Sequence, residues 1–267
     1  MIIILLLGLT VGIILALTGA GGGILAVPLL VFGAGLSMAE AGPIGLLAVG
    51  LAATLGAVMG LKSGMVRYKA AMLIAGVGIV CSPCGLWLAQ RSPNRPLSVV
   101  FSMVLLYVAF KVYQRSSSDS ATPVAYKTLP PPPCQLDLGR GKLNWTAPCA
   151  RALALSGVVA GTLSGLLGVG GGFVMVPALQ RYTDLTTQSV VATSLAVIAL
   201  VSIGGVAASA ASGHMQWAIA LPFSAGALAG MIVGRMAASK LPGQHLQKAF
   251  AIVSALVAMA LFTKAIF

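Results

Sequence analysis

Apolar residues run along nearly the whole chain in ten stretches, separated by short groups of glycine, proline or basic residues. In the first half they cover about 2–17, 23–35, 41–61, 70–89 and 97–114, and in the second about 153–167, 172–183, 190–211, 217–238 and 246–266. Most approach the roughly 20 residues that a helix needs to cross a bilayer. The second stretch of each half is shorter and follows a glycine cluster that interrupts any regular helix. The first two stretches of each half are therefore predicted to form a Gly-broken helical hairpin. Such a hairpin returns to its starting side whether it spans the bilayer or only re-enters, which leaves each half a net odd number of crossings.

The two halves are copies. Gly21 falls on Gly170 at an offset of 149 residues, and without a gap Gly12 meets Gly161, Val27-Pro28 meets Val176-Pro177, Gly56 meets Gly205, Ser63-Gly64 meets Ser212-Gly213 and Pro93 meets Pro242. Shared hydrophobicity aligns leucines, but not a glycine triplet and two prolines in one register. Tandem repeats with an odd number of crossings must be inverted in the membrane. The predicted fold is thus an all-α integral membrane protein of two homologous repeats, 1–115 and 149–267, each with about five helical segments, in inverted topology and with about eight to ten membrane segments in all. Between them, 116–148 carries Ser116-Ser117-Ser118 and the prolines 130–133, and is predicted to be a weakly ordered linker with polyproline geometry.

Composition names the solvent. A 267-residue chain that is 58% hydrophobic and 7% charged cannot hide that surface in one soluble core. Met1 to Leu17 is read as a retained first helix, because apolar stretches continue long after it. The net charge of +12 would suggest nucleic acid in a soluble protein, but here the basic residues sit between apolar runs, where they orient the chain. With the linker in the cytoplasm, Lys62, Arg67, Lys69, Lys111, Arg115, Lys127, Arg140, Lys142, Arg151, Arg181, Arg235, Lys240 and Lys248 fall on or near the cytoplasmic side, and only Arg91, Arg95 and Lys264 fall outside. The expected location is the plasma membrane, crossed several times, with both termini opposite the linker. On that topology the sequon Asn144-Trp145-Thr146 is a chance match.

Chemistry concentrates in two related segments, Thr18 to Pro28 and Leu167 to Pro177, each reading G-x-G-G-G-x-x-x-V-P. A glycine cluster leaves backbone N–H groups uncovered, and the helix that follows adds a partial positive charge at its start, which together suit an anion. In an inverted pair two such ends meet near the midplane, where secondary transporters commonly bind their substrates. The competing reading is that the glycines only let helices approach closely. The candidate substrate-binding residues are Gly21, Gly22, Gly23, Gly170, Gly171 and Gly172, with hydroxyls from Thr18, Thr193 and Ser194. Thr193 and Ser194 lie within an apolar stretch, where a hydroxyl either meets an anion or returns to its own helix. Gln188 is a weaker candidate, and Lys62, Arg67 and Arg181 would draw anions to the cytoplasmic mouth.

Both segments resemble the glycine-rich signature of the sulfite exporter TauE/SafE family of membrane transporters, and the likeness covers nearly everything outside the linker. The resemblance implies export or permeation of small sulfur-containing anions such as sulfite, sulfoacetate or related organosulfonates; the inverted glycine pair suggests alternating access about a midplane site, and no cofactor is expected. The first half departs from the pattern where Ile44-Gly45-Leu46 stands opposite Thr193-Ser194-Leu195, so the hydroxyl contribution is expected to be one-sided.

Cys81-Ser82-Pro83-Cys84 spells CxxC, whose alternative reading is a membrane-embedded thiol redox protein acting on sulfur compounds. Its place in an apolar helix, opposite Gly230 and Val233, favours packing. Cys134 and Cys149 join these as too few and too scattered for a disulfide framework. His214 and His245 are too far apart to suggest a metal, and nothing resembles a nucleotide-binding loop. Glu40, Asp119, Asp137 and Asp184 all lie outside the deep parts of the stretches. That argues against a carboxylate proton relay and leaves a uniporter, a channel-like path or a protonated anion as cargo. The expected partners are a small sulfur-containing anion and the lipid bilayer; a homo-oligomer is compatible with the sequence, nucleic acid is not, and no enzyme activity is expected.

Overall fold

The computed structural model describes residues 1–19, 21–91, 94–118, 133–134, 136–137, 142–143, 146–167, 169, 171–211, 216–238, 252 and 254–263. Its helices are α1 (Ile2–Thr18), α2 (Gly21–Gly33), α3 (Met38–Lys62), α4 (Tyr68–Arg91), α5 (Asn94–Ser118), α6 (Ala147–Leu167), α7 (Gly172–Tyr182), α8 (Thr187–Ala211) and α9 (Trp217–Ala238). A tenth apolar helix, α10, covers Ser254–Thr263. Five of them, α3, α4, α6, α8 and α9, are long and apolar enough to cross a membrane. Their outer faces carry residues such as Met72, Val80 and Met236, each about two-thirds or more exposed (67%, 74% and 71%). An apolar surface of that extent suits a lipid environment.

Local chemistry starts and stops these helices. Ser37 caps α3 with a full capping box: the Glu40 amide donates to Ser37 Oγ at 3.3 Å, and the Ser37 amide donates to Glu40 Oε2 at 3.0 Å. Gly19, at φ +74°, ends α1 in a left-handed turn whose amide donates to the Leu15 carbonyl at 2.8 Å. The short α2 then runs back along α1, so that a Cβ on Gly22 would stand 2.5 Å from Leu15 Cβ and one on Gly33 2.5 Å from Leu7 Cδ1. This is the Gly-broken hairpin expected from the sequence, and it returns to the side where α1 began.

The packing repeats in both halves. α1 lies parallel to α9, and α4 parallel to α6. Where Gly8 presses on the Phe223 carbonyl, Gly157 presses on the Ile74 carbonyl, at 2.8 Å from an added Cβ. Gly12 on Ala227 is matched by Gly161 on Gly78, and Gly85 on Thr162 by Gly234 on Ile13. Each pair maps onto the other through the 149-residue offset. Between them α3 and α8, themselves equivalent by the same offset, run in opposite directions, with Gly50 beside Ser202 and Gly60 beside Ala192.

The cysteines depart from the sequence reading. Cys134 and Cys149 form a disulfide across 15 residues, and both are fully buried. The Cys134 amide donates to the Tyr182 carbonyl at 3.1 Å, and Thr146 Oγ1 donates to the Pro133 carbonyl at 3.1 Å. Two-residue strands, β1 (Leu136–Asp137) and β2 (Lys142–Leu143), pair between the cysteines. The end of the linker is thus tied to the start of α6 and the end of α7. Nothing in the spacing of four scattered cysteines specifies that pair. The expected polyproline geometry of 130–132 and the sequon residues 144–145 lie outside the described residues.

The glycine contacts set one test of stability. Gly161→Leu drives a side chain into the Gly78 backbone and is expected to cost at least the roughly 1–3 kcal/mol of an overpacked core. Gly76→Ala, which meets nothing within 4 Å, is expected to stabilise α4 by about 0.5–1 kcal/mol. Thermal unfolding of both variants in detergent checks the contrast.

Candidate functional site

The two glycine breaks touch. A Cβ on Gly23, in the first turn of α2, would stand 2.5 Å from the carbonyl oxygen of Val169, which lies in the glycine cluster between α6 and α7. Val49 Cγ1 is 3.5 Å from the same point. Val49 is the tenth residue of the 23-residue apolar span Glu40–Lys62, so the meeting point is close to half-way along α3. The starts of α2 and α7 both lie at this junction, where first-turn amides have no partner within their own helix and the helix dipoles present positive ends.

The candidate glycines divide in role. Gly171, at φ +65°, is the N-cap of α7, and its carbonyl accepts from the Val174 amide at 3.1 Å. Its Cβ position lies 2.5 Å from the Ala160 carbonyl, as that of Gly22 lies 2.5 Å from the Val11 carbonyl. Ala160 and Val11 are again equivalents, so Gly22 and Gly171 close their own hairpins. Gly23 instead joins the two hairpins. Gly21 and Gly172 open α2 and α7, and Gly170 lies outside the described residues.

The hydroxyls are occupied by protein. Thr18 Oγ1 donates to the Ile14 carbonyl at 2.8 Å, back along its own helix. Thr193, fully buried, accepts from the Arg67 amide at 3.1 Å and so caps α4 from α8. Ser194 Oγ lies 2.8 Å from the Val191 carbonyl and 3.2 Å from the carbonyl of Gly19, the residue that ends α1. Both Thr193 and Ser194 thus fasten α8 of the second repeat to the first, Ser194 at the Gly19 corner and Thr193 at the start of α4. With the hydroxyls engaged, first-turn amides are the groups most suited to meet an anion.

Two features are not evident from the sequence. Gly19, outside the candidate set, is the corner of the first break through its positive φ and its bond to Ser194. Arg235, in the sequence only one of the basic residues that orient the chain, is half-buried and its Nη1 donates to the Gly56 carbonyl at 3.1 Å. The available signal was its place within the apolar stretch 217–238 instead of in a loop. By contrast Lys62 and Arg181 stay at helix ends, in the last turns of α3 and α7. Cys81 and Cys84 are unbonded thiols on α4, Cys84 exposed, and the buried member of that motif is Ser82. No cluster suited to a metal occurs among the described residues.

A helical bundle with five long apolar helices and paired broken hairpins is the architecture of a multi-pass membrane protein. The family model described as sulfite exporter TauE/SafE matches residues 4–261. The chain belongs to the sulfite exporter TauE/SafE family, a family of membrane transporters. It is 28% identical to the probable membrane transporter protein YunE of Bacillus subtilis (strain 168), over 100% of this chain and 98% of that protein. It is 25% identical to a probable membrane transporter protein of Xylella fastidiosa (strain 9a5c), over 93% and 90% of the two chains. No solved structure matches.

The Ser194 bond gives a graded test. Ser194→Ala is expected to cost about 1 kcal/mol, the net worth of one hydrogen bond. Gly23→Val, which forces side-chain atoms against the Val169 carbonyl, is expected to cost more. The order of their melting temperatures in detergent checks which contact dominates.

Proposed function

We propose that the protein moves small sulfur-containing anions, sulfite, sulfoacetate or related organosulfonates, across the plasma membrane by alternating access around the junction of its two glycine breaks. The contact of Gly23 with Val169 half-way along α3 carries this reading. It brings two positive helix starts to one place at a depth where no loop or headgroup competes. Amides from Gly21 to Gly23 and from Gly170 to Gly172 would line the site, with Ser194 holding the Gly19 corner beside them, while Thr18 bonds its own helix and Thr193 the start of α4. The antiparallel packing of the equivalent helices α3 and α8 supports an inverted relation between the repeats 1–115 and 149–267. The redox alternative through Cys81 and Cys84 has no support, since the thiols are unpaired and the family is one of transporters.

The orientation we propose places 116–148 in the cytoplasm and both termini opposite, on the weight of the basic residues. The Cys134–Cys149 disulfide weighs the other way, because disulfides persist in oxidising compartments. In a reducing cytosol the pair would be two buried thiols that rejoin on oxidation. Membrane-impermeant maleimide applied to intact cells should then leave a single cysteine engineered at Ser117, in a cysteine-free background, unlabelled until the cells are opened. Labelling of intact cells would reverse the orientation.

Transport itself is tested in proteoliposomes. Sulfite, sulfoacetate, thiosulfate, sulfate and chloride are compared with and without a pH gradient. Saturable uptake of at least one sulfur anion is expected, with uptake lost in Gly23→Val although the protein inserts. Absence of uptake above protein-free vesicles for all of them would remove the substrate class.

A further inference from the structure

Arg235 stands in the last turn of α9, where a long basic side chain ordinarily extends outward to lipid headgroups. It turns inward instead, to the Gly56 carbonyl. Gly56 is six residues short of the end of α3 at Lys62, about 9 Å of helix at the usual rise per residue. The neighbours are those of the first break. A Cβ on Gly56 would meet Met231 of α9, and Leu195 Cδ1 of α8 at 2.9 Å. The next residue back on α8, Ser194, is bonded to Gly19. Gly234, beside Arg235, packs against α1 with Ala16 Cβ 2.7 Å from its Cβ position. The guanidinium therefore bonds α3 at the residue where α8 and α9 also meet that helix, and α9 beside it packs against α1 three residues before the Gly19 corner.

No carboxylate pairs with Arg235 among the described residues. Glu40, the acidic residue of α3, is engaged at the far end of that helix by Ser37 and by Gln216 Nε2 at 2.9 Å. Arg235 is half-buried; a guanidinium turned toward an apolar bundle without a counter-charge carries a desolvation cost, and that cost falls when an anion fills its planar fork of donors.

We propose that Arg235 binds the transported anion, pairing with its head group beside the first break. This rests on the transport reading above and narrows its substrate class. The 149-residue correspondence puts Leu86 opposite Arg235 and Gly45 opposite Ser194, so the second break has no equivalent charge and the binding is one-sided. A single fixed charge with a two-pronged donor set favours a monoanion bearing two or more oxygens on one atom, such as bisulfite or an alkylsulfonate. A sulfate dianion would keep one charge unpaired beside a half-buried guanidinium, and chloride offers no second acceptor to the fork.

The test uses the full-length protein in proteoliposomes, with sulfite uptake measured against methanesulfonate, sulfate and chloride as competitors. Methanesulfonate is expected to compete with the wild type, and equal sulfate or chloride to compete far less. Arg235→Leu should bring uptake to background. Arg235→Lys keeps the charge and loses the fork, and should raise KM about tenfold, the order expected for loss of one charge-assisted bond, and weaken the discrimination against chloride. Leu86→Ala should leave KM and the competition profile as in the wild type. A wild-type KM and profile in Arg235→Lys, or intact uptake in Arg235→Leu, overturns the assignment; the lysine variant decides if the leucine variant fails to insert. Absence of wild-type uptake for every sulfur anion would instead defeat the transport reading, and this inference with it.

Discussion

In a bilayer the lipid tails are as apolar as leucine, so helices gain little by hiding apolar side chains from their surroundings and must be held by dispersion and close backbone contact. Glycine supplies that contact here. Gly8 and Gly12 on α1, Gly226, Gly230 and Gly234 on α9, and Gly157, Gly161 and Gly165 on α6 each place a neighbouring helix's backbone where a Cβ would otherwise stand. The parallel pairs α1 with α9 and α4 with α6 follow from these spacings of four residues, and each pair joins one repeat to the other. The repeats are therefore interlocked, and neither is expected to form a bundle by itself.

The same residue type has a second use at the breaks. Positive φ at Gly19 and Gly171 ends one helix and allows the next to start at depth, an arrangement that costs hydrogen bonds and is tolerated in a membrane only where protein or a cavity covers it. Ser194 covers part of that cost at the first break by bonding the Gly19 carbonyl. The contacts of the glycine motif thus divide by position. Gly22 and Gly171 serve the close approach within each hairpin, and Gly23 serves the meeting of the two.

Symmetry in the backbone coexists with asymmetry in the chemistry. The glycine contacts obey the 149-residue correspondence residue by residue, while Thr193, Ser194 and Arg235 have the partners Ile44, Gly45 and Leu86. The duplicated frame thus carries different side chains at equivalent positions of its two copies. The disulfide is a further departure, since Cys134 belongs to the linker and Cys149 to the start of α6, and it ties the linker to the second hairpin.

The sequence by itself determined the solvent, the duplication, the helical segments and the two broken hairpins, because apolar run length, glycine clusters and a gapless internal register are local or one-dimensional signals. It also named Gly23 and Ser194 among its candidates, without saying what they touch. Only the tertiary structure decided that Gly23 meets Val169, that Ser194 holds Gly19 across 175 residues of chain, that Cys134 pairs with Cys149, and that Arg235 turns into the bundle. Each of these depends on which helix faces which and at what depth. That is set by the summed packing of all the helices, and no short pattern along the chain encodes it.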